Sequence, residues 1–90
     1  MPVLFEKNGY YIYFCLNENN EPIHFHISCG KPTENATKVW ILKSGGLLLA
    51  HNRSRINTND LGKILRYMQN NTGTVITEWK SRLGYEKYYA

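Results

Sequence analysis

The first half of the chain alternates apolar and polar residues with the period of two that is typical of half-buried β-strands. Asn8 and Gly9 readily adopt the positive φ of a two-residue hairpin turn, and they separate the apolar residues 3–5 from the apolar run 10–16. Residues 23–29 again alternate strictly between apolar and polar side chains. This pattern predicts a hairpin at the start of an antiparallel meander.

Turn-forming residues divide the remainder of this half into further strands. Residues 17–22 and 30–35 are polar and contain proline or glycine, so they are predicted to be loops. A fourth strand is predicted over residues 36–42, and the glycine-containing turn 43–46 leads into a short fifth strand over residues 47–49. The predicted sheet therefore has four or five strands.

After Asn52 the apolar period lengthens to the 3.6 residues of an amphipathic helix. The stripe follows the spacing i, i+3, i+4 and i+7 and consists of Leu61, Ile64, Leu65 and Met68. Asn57 or Thr58 is expected to cap the start of this helix, and Gly73 is expected to follow its end.

A second helix is predicted from about Thr74 to Gly84, and residues 85–90 are expected to fray. Because the strands precede the helices without alternating with them, the predicted fold class is α+β. It comprises an antiparallel β-sheet of four or five strands followed by two C-terminal helices packed on one face. The core is expected to combine sheet and helix residues, namely Ile12, Phe14, Phe25, Ile27, Leu61, Ile64, Leu65, Met68 and Trp79.

The composition predicts one ordinary globular domain over residues 1–90. Hydrophobic residues make up 42% and charged residues 20%, which excludes a collagen-like, coiled-coil or disordered chain. The longest apolar run, residues 10–16, is far shorter than the ~20 residues that cross a bilayer, so no membrane partner is expected. The N-terminus lacks the features of a secretory signal, and Cys15 and Cys29 form no Cys-x-x-Cys pair. A cytoplasmic protein with reduced thiols is therefore expected.

The net charge of +4 resides entirely in the second half of the chain. Residues 1–45 carry four basic and four acidic residues, whereas residues 46–90 carry seven basic and three acidic residues. Such an excess is typical of proteins that bind an anionic partner such as nucleic acid, although many small basic domains carry it for solubility alone.

The three histidines are the main chemical signal in the chain. His24 and His26 are two residues apart in a predicted strand, so both project from one face about 6.6–6.8 Å apart, and His51 follows the last predicted strand. If the last strand pairs close to the strand of His24 and His26, the three imidazoles would share one site. The amide of Asn52 would then fix the tautomer of an imidazole.

Two chemistries fit such a site. Three neutral imidazoles would bind a metal ion and leave one position for water. Alternatively, the imidazoles would move protons during the cleavage of RNA while Arg53 and Arg55 hold the phosphate. We assign His24, His26 and His51 as candidate catalytic residues and expect no metal ion or other cofactor, because no second metal-binding signature accompanies them. Solvated histidines without a joint function are the simplest alternative.

Tyr11 and Tyr13 are predicted to share the sheet face that the core does not use. Aromatic rings on such a face stack on bases in several proteins that bind single-stranded RNA, and the same rings also pack on protein partners. Together with Asn52, Arg53 and Arg55, the two tyrosines form the set of candidate binding residues.

Two short motifs lie in one order along this chain: Pro-x-His-x-His at residues 22–26 and Ala-His-Asn at residues 50–52. With the segments 1–2, 9–14, 36–40 and 78–79, they resemble the prokaryotic family named domain of unknown function 4160. The resemblance covers nearly the whole chain. It implies a small bacterial or mobile-element protein, often encoded beside another short protein in an arrangement similar to a toxin–antitoxin pair. It supplies no established catalytic residue.

These observations lead us to expect a toxin–antitoxin-type component that acts on or near RNA and has a small protein as a partner. The alternative is a non-catalytic, anti-CRISPR-like inhibitor, encoded by a phage or plasmid, that binds a nucleic-acid-processing complex through its tyrosine-rich or basic surface. Whether the protein is an enzyme is open at this level. Growth arrest or RNA cleavage that is lost in His51→Ala would favour the catalytic hypothesis.

Overall fold

The computed structural model describes residues 3–16 and 20–90, which form one antiparallel five-stranded sheet followed by two helices. The strands lie side by side in chain order and are Val3–Lys7 (β1), Tyr10–Tyr13 (β2), His24–Cys29 (β3), Thr37–Ile41 (β4) and Leu47–His51 (β5). The helices are Thr58–Gln69 (α1) and Thr72–Leu83 (α2). The predicted α+β class is confirmed.

Two tight turns with left-handed residues connect the outer strand pairs. Asn8 and Gly9, with φ of 52° and 83°, form the predicted turn between β1 and β2. Gly45, with φ of 95°, lies in the turn between β4 and β5. There the N–H of Leu42 donates to the carbonyl of Gly46 at 2.8 Å, which closes a three-residue loop. Glycine suits this position because it adopts positive φ without steric cost.

Two strands, β2 and β5, end at residues other than the predicted ones. β2 ends at Tyr13, where its pairing with β3 stops, although Phe14 remains fully buried. β5 continues beyond the predicted residues 47–49 and includes His51, because Lys38 of β4 still pairs with that histidine. The polar turn predicted for residues 17–22 lies partly outside the described residues.

One face of the sheet, here called the inner face, packs against both helices. Its central residues Ile12, Phe25 and Val39 belong to neighbouring strands and have no exposed surface. The buried helix residues that complete this core are Ile64, Met68, Val75 and Trp79. All predicted core residues belong to this cluster, with Leu61 and Leu65 partly buried at its margin. Alternation places the neighbours of the core residues on the opposite, outer face.

The helix ends follow their caps. The side chain of Asn57 accepts the N–H of Asp60 at 2.9 Å, as predicted for the start of α1. The predicted end of α1 is wrong, because the helix stops at Gln69 and Gly73 lies in the first turn of α2. Gly84, with φ of 80°, ends α2 as predicted. Within the described part of the chain, neither helix has the length and hydropathy to cross a membrane.

Residues 85–90 do not fray, contrary to the expectation from sequence. The N–H of Ile23 donates to the carbonyl of Lys87 at 2.7 Å, and the N–H of Lys43 donates to the carbonyl of Ala90 at 2.9 Å. These bonds hold the C-terminal segment across the start of β3 and the end of β4. Sequence periodicity does not reveal such bonds, because they join backbone groups far apart in the chain.

Truncation of a central helix residue tests this core. Ile64 of α1 has no exposed surface, so Ile64→Ala is expected to lower the free energy of unfolding by about 2–5 kcal/mol. This is a large part of the total, which is on the order of 5–13 kcal/mol for a chain of this length. Urea denaturation followed by circular dichroism measures the change. The exposed neighbour Lys63 provides the control, since Lys63→Ala should change the value by less than about 0.5 kcal/mol. Equal effects would contradict the assigned helix face.

Candidate functional site

The strand register places four polar or aromatic side chains in one row across the outer face. Tyr13 pairs with His26, His26 pairs with Lys38, and Lys38 pairs with His51. Directly paired residues have Cβ atoms about 4.5–5.5 Å apart. His26 and His51 are therefore separated by two strand spacings, roughly 10 Å, and Lys38 lies between them. We call Tyr13, His26, Lys38 and His51 the outer-face row.

His24 and His26 meet, as their spacing predicts, whereas His51 lies apart from them. The ring centroids of His24 and His26 are 5.0 Å apart. His24 is fully buried, with its Nδ1 2.9 Å from the carbonyl oxygen of Pro22 and its ring 5.1 Å from that of Trp79. β4 separates both residues from His51, so the three imidazoles do not converge. Among the described residues, no three His, Cys, Asp or Glu side chains are grouped to hold a metal ion.

Lys38 is the member of the row that sequence reasoning missed. Its ammonium group donates to the carboxylate of Glu21 at 2.7 Å and lies 4.3 Å from the ring centroid of Trp40. Tyr89 of the C-terminal segment stacks on Trp40, with the ring centroids 4.9 Å apart. The alternation of Lys38 with Val39 would have indicated its face, but not the histidines on either side of it.

The two tyrosines that were candidates for base stacking differ in accessibility. The ring of Tyr13 is 1% exposed, and its hydroxyl bonds to both the N–H and the carbonyl of Thr33 at 3.2 Å. Burial raises the pKa of the Tyr13 hydroxyl above its usual value. The loop at Thr33 thus closes over Tyr13. Tyr11 is half-buried and remains the more accessible ring on this face.

The loop after β5 is fixed by side-chain hydrogen bonds to its own backbone and to β4. The amide of Asn52 donates to the carbonyl of Ile56 at 2.9 Å, and its oxygen accepts from Ile56 N–H at 3.1 Å and from the Thr37 hydroxyl at 2.6 Å. The hydroxyl of Ser54 accepts the N–H of Thr37 at 3.1 Å. Asn52 is therefore a structural residue of this loop. Its amide forms hydrogen bonds with Thr37 and Ile56. Contrary to our expectation, it does not orient an imidazole.

The two arginines project from this fixed loop. Arg53 and Arg55 are both exposed. Arg55 has a φ of 56°, a left-handed conformation that is uncommon for a residue with a side chain. Its N–H donates to the carbonyl of Asn52 at 3.0 Å, which closes the turn and maintains this conformation. The loop that follows His51 thus carries two exposed arginines.

The surroundings of His51 favour its neutral form over the charged imidazolium. Partial burial lowers its pKa below the usual 6.5, and the positive charges of Arg53 and Lys38 lower it further. The backbone N–H of Arg53 approaches Nδ1 of His51 at 3.4 Å, so Nδ1 is the acceptor and Nε2 carries the proton. The backbone of the next arginine, rather than the Asn52 amide, therefore sets the tautomer.

The chain belongs to the family described as domain of unknown function (DUF4160), whose model matches residues 9–80. The match includes the outer-face row, the loop after β5 and most of both helices, so the expected family resemblance is confirmed. No curated protein and no solved structure matches the chain.

Removal of the Asn52 amide tests the scaffold of the loop. Ile56 is buried, and its backbone N–H and carbonyl both bond to the Asn52 amide. Asn52→Ala removes both bonds, so the free energy of unfolding should fall by about 1–3 kcal/mol. Chemical denaturation measures the change. The same substitution at the exposed helix position Asn59 should cost less than about 0.5 kcal/mol. A neutral Asn52→Ala would show that the loop does not depend on this amide.

The lowered pKa of His51 predicts a pH dependence of stability. As the pH falls below about 6.5, the unfolded chain takes up a proton at His51 before the folded protein does. The contribution of His51 to the free energy of unfolding is therefore complete above pH 6.5 and is lost as the pH falls through the folded pKa. His51→Gln should reduce this acid-side loss. In NMR titrations the His51 midpoint should lie below 6.5 and rise in Arg53→Gln; a midpoint at or above 6.5 would contradict the assignment.

Proposed function

We propose that this protein binds single-stranded RNA at the β5 end of the outer face. There the outer-face row meets the loop that carries Arg53 and Arg55, which we call the arginine loop. The observation that carries the proposal is a loop fixed by hydrogen bonds that follows His51 and carries two exposed arginines, of which Arg53 acts electrostatically on His51. Guanidinium groups bind phosphate through paired hydrogen bonds, and a fixed loop loses little conformational entropy when the ligand binds.

The members of the site suit different parts of a nucleotide chain. The Nε2–H of neutral His51 would donate to a phosphate oxygen, and the arginines would neutralise phosphate charge. The half-buried ring of Tyr11, on the same outer face, would stack on a base further along. Lys38 is already paired with Glu21, so it would contribute less to binding than the exposed arginines.

The family resemblance supports a proposal about the cellular role of this binding. We propose that the protein acts in the cytoplasm as one component of a two-protein system of toxin–antitoxin type, with RNA as the ligand of the basic site. Cys15 and Cys29 are both thiols, which accords with a reducing compartment. Binding does not require cleavage, and His26 and His51 are the pair that would carry proton transfer if cleavage accompanies it.

Fluorescence anisotropy with a labelled single-stranded RNA of mixed sequence tests the proposal. Arg53→Gln/Arg55→Gln should weaken binding and reduce the slope of log K against log salt by about 1.4, since each lost phosphate contact contributes roughly 0.7 for single strands. The matched control, Lys63→Gln/Arg66→Gln, removes the same charge from exposed positions of α1 and should retain the wild-type affinity closely. A parallel cleavage assay with His51→Ala distinguishes an enzyme from a binding protein.

Two outcomes would contradict RNA binding at this site. Equal losses of affinity in the two double variants would mean that RNA binding depends only on the total charge of the protein. If the wild-type protein shows no RNA binding and does not arrest growth when induced, the RNA proposal is wrong and the non-catalytic inhibitor becomes the better hypothesis.

A further inference from the structure

β5 is an edge strand with an unusually apolar exposed surface. It lies at the end of the strand order and pairs with β4; within the described residues no other strand pairs with it. Leu48 and Leu49 are 42% and 40% exposed, and Ala50 is exposed as well. Edge strands usually carry charges, proline or bulges that prevent pairing with other chains. In β5 a register shift near Ala50 is the only such device, and residues 47–49 are regular and uncharged.

The backbone of this segment faces outward at two residues. Leu42 and Gly46 form a hydrogen-bonded pair at the turn, so the antiparallel alternation makes Ile41 and Leu47 a non-hydrogen-bonded pair. Two residues further along, Leu49 and Val39 form a non-hydrogen-bonded pair for the same reason. The N–H and carbonyl groups of Leu47 and Leu49 therefore point away from β4. An extended segment placed alongside would find both donors and acceptors for a new ladder.

Basic residues flank the apolar segment at both ends. Lys43 is exposed in the turn before β5, and Arg53 and Arg55 are exposed in the loop after it. Neither flank, residues 43–46 or 51–56, contains an acidic residue. A second copy paired antiparallel by a two-fold axis would bring Lys43 of one chain towards Arg53 of the other, and like charges would oppose each other at both ends.

We propose that β5 binds an extended segment of a different protein by strand addition, and that this segment is apolar in its centre and acidic at both ends. Backbone hydrogen bonds to Leu47 and Leu49 supply the pairing. Leu48 and Leu49 provide apolar contacts on the outer and inner faces, beside Trp40 and Val39 respectively. The inference does not rest on the proposed RNA binding, because it concerns the backbone edge and the charges that flank it.

The test uses three synthetic peptides with the full-length protein. The first alternates valine and threonine in its centre and carries glutamates at both ends, the second replaces the glutamates with lysines, and the third places proline in the centre. NMR titration should show that the glutamate peptide binds and protects the amides of Leu47 and Leu49 from hydrogen exchange. The lysine peptide should bind at least about ten-fold more weakly, because like charges oppose it. The proline peptide should not bind, because it interrupts the ladder.

A pair of variants locates the binding surface. Leu48→Glu should reduce the affinity for the glutamate peptide at least about ten-fold through charge repulsion. Leu16→Glu changes an equally exposed leucine outside β5, 48% exposed, and should leave the affinity unchanged. Comparable binding of the glutamate and lysine peptides, or protection at β1 instead of β5, would overturn the proposal. Absence of binding by the glutamate peptide would also overturn it. A dimer in sedimentation that Leu48→Glu dissociates would do the same, because the occupant of β5 would then be a second copy.

Discussion

Burial of the inner sheet face under α1 and α2 is the constraint on which the rest of the structure depends. Side chains alternate between faces, so a slip of one residue would move a strand's whole apolar set into solvent. The buried positions of Phe25 and Val39 therefore determine that His26 and Lys38 lie on the outer face, in register with each other. The outer-face row results from core packing and needs no attraction among its polar members.

The outer face is less open than the polar face of many antiparallel sheets. The loop at Thr33 covers Tyr13, Glu21 pairs with Lys38, and Tyr89 stacks on Trp40. These contacts reduce the access of a large ligand to Tyr13 and Lys38. At the β5 end, the exposed Arg53 follows a half-buried His51. An anionic partner would meet the protein at this corner.

The two proposed binding surfaces are neighbours on β5. The strand carries the exposed leucines in its first half and His51 at its end, and the arginine loop follows directly. An acidic segment added to the edge would bring negative charge towards Arg53, which belongs to the site proposed for RNA. The two ligands would therefore influence each other through the same positive charges, without any change in fold.

Local structure was predictable from sequence because it depends on neighbours in the chain. The Asn8-Gly9 turn, the inward face of α1 and the Asn57 cap each follow from residue type and spacing over a few positions. The proximity of two candidate residues was predictable in the same way. His24 and His26 are two positions apart and share a face, and their ring centroids are 5.0 Å apart. The end of α1 was missed because Gly73 also fits inside a second helix.

The arrangement of the site was decided only by the tertiary structure. The order of strands puts β4 between His26 and His51, so Lys38, which carried no signal of its own, became their common neighbour. Asn52 turned towards Thr37 and Ile56 instead of an imidazole. Periodicity determines which face a residue occupies. Which residues from distant strands become neighbours depends on strand order and register, and the packing of the whole core selects these.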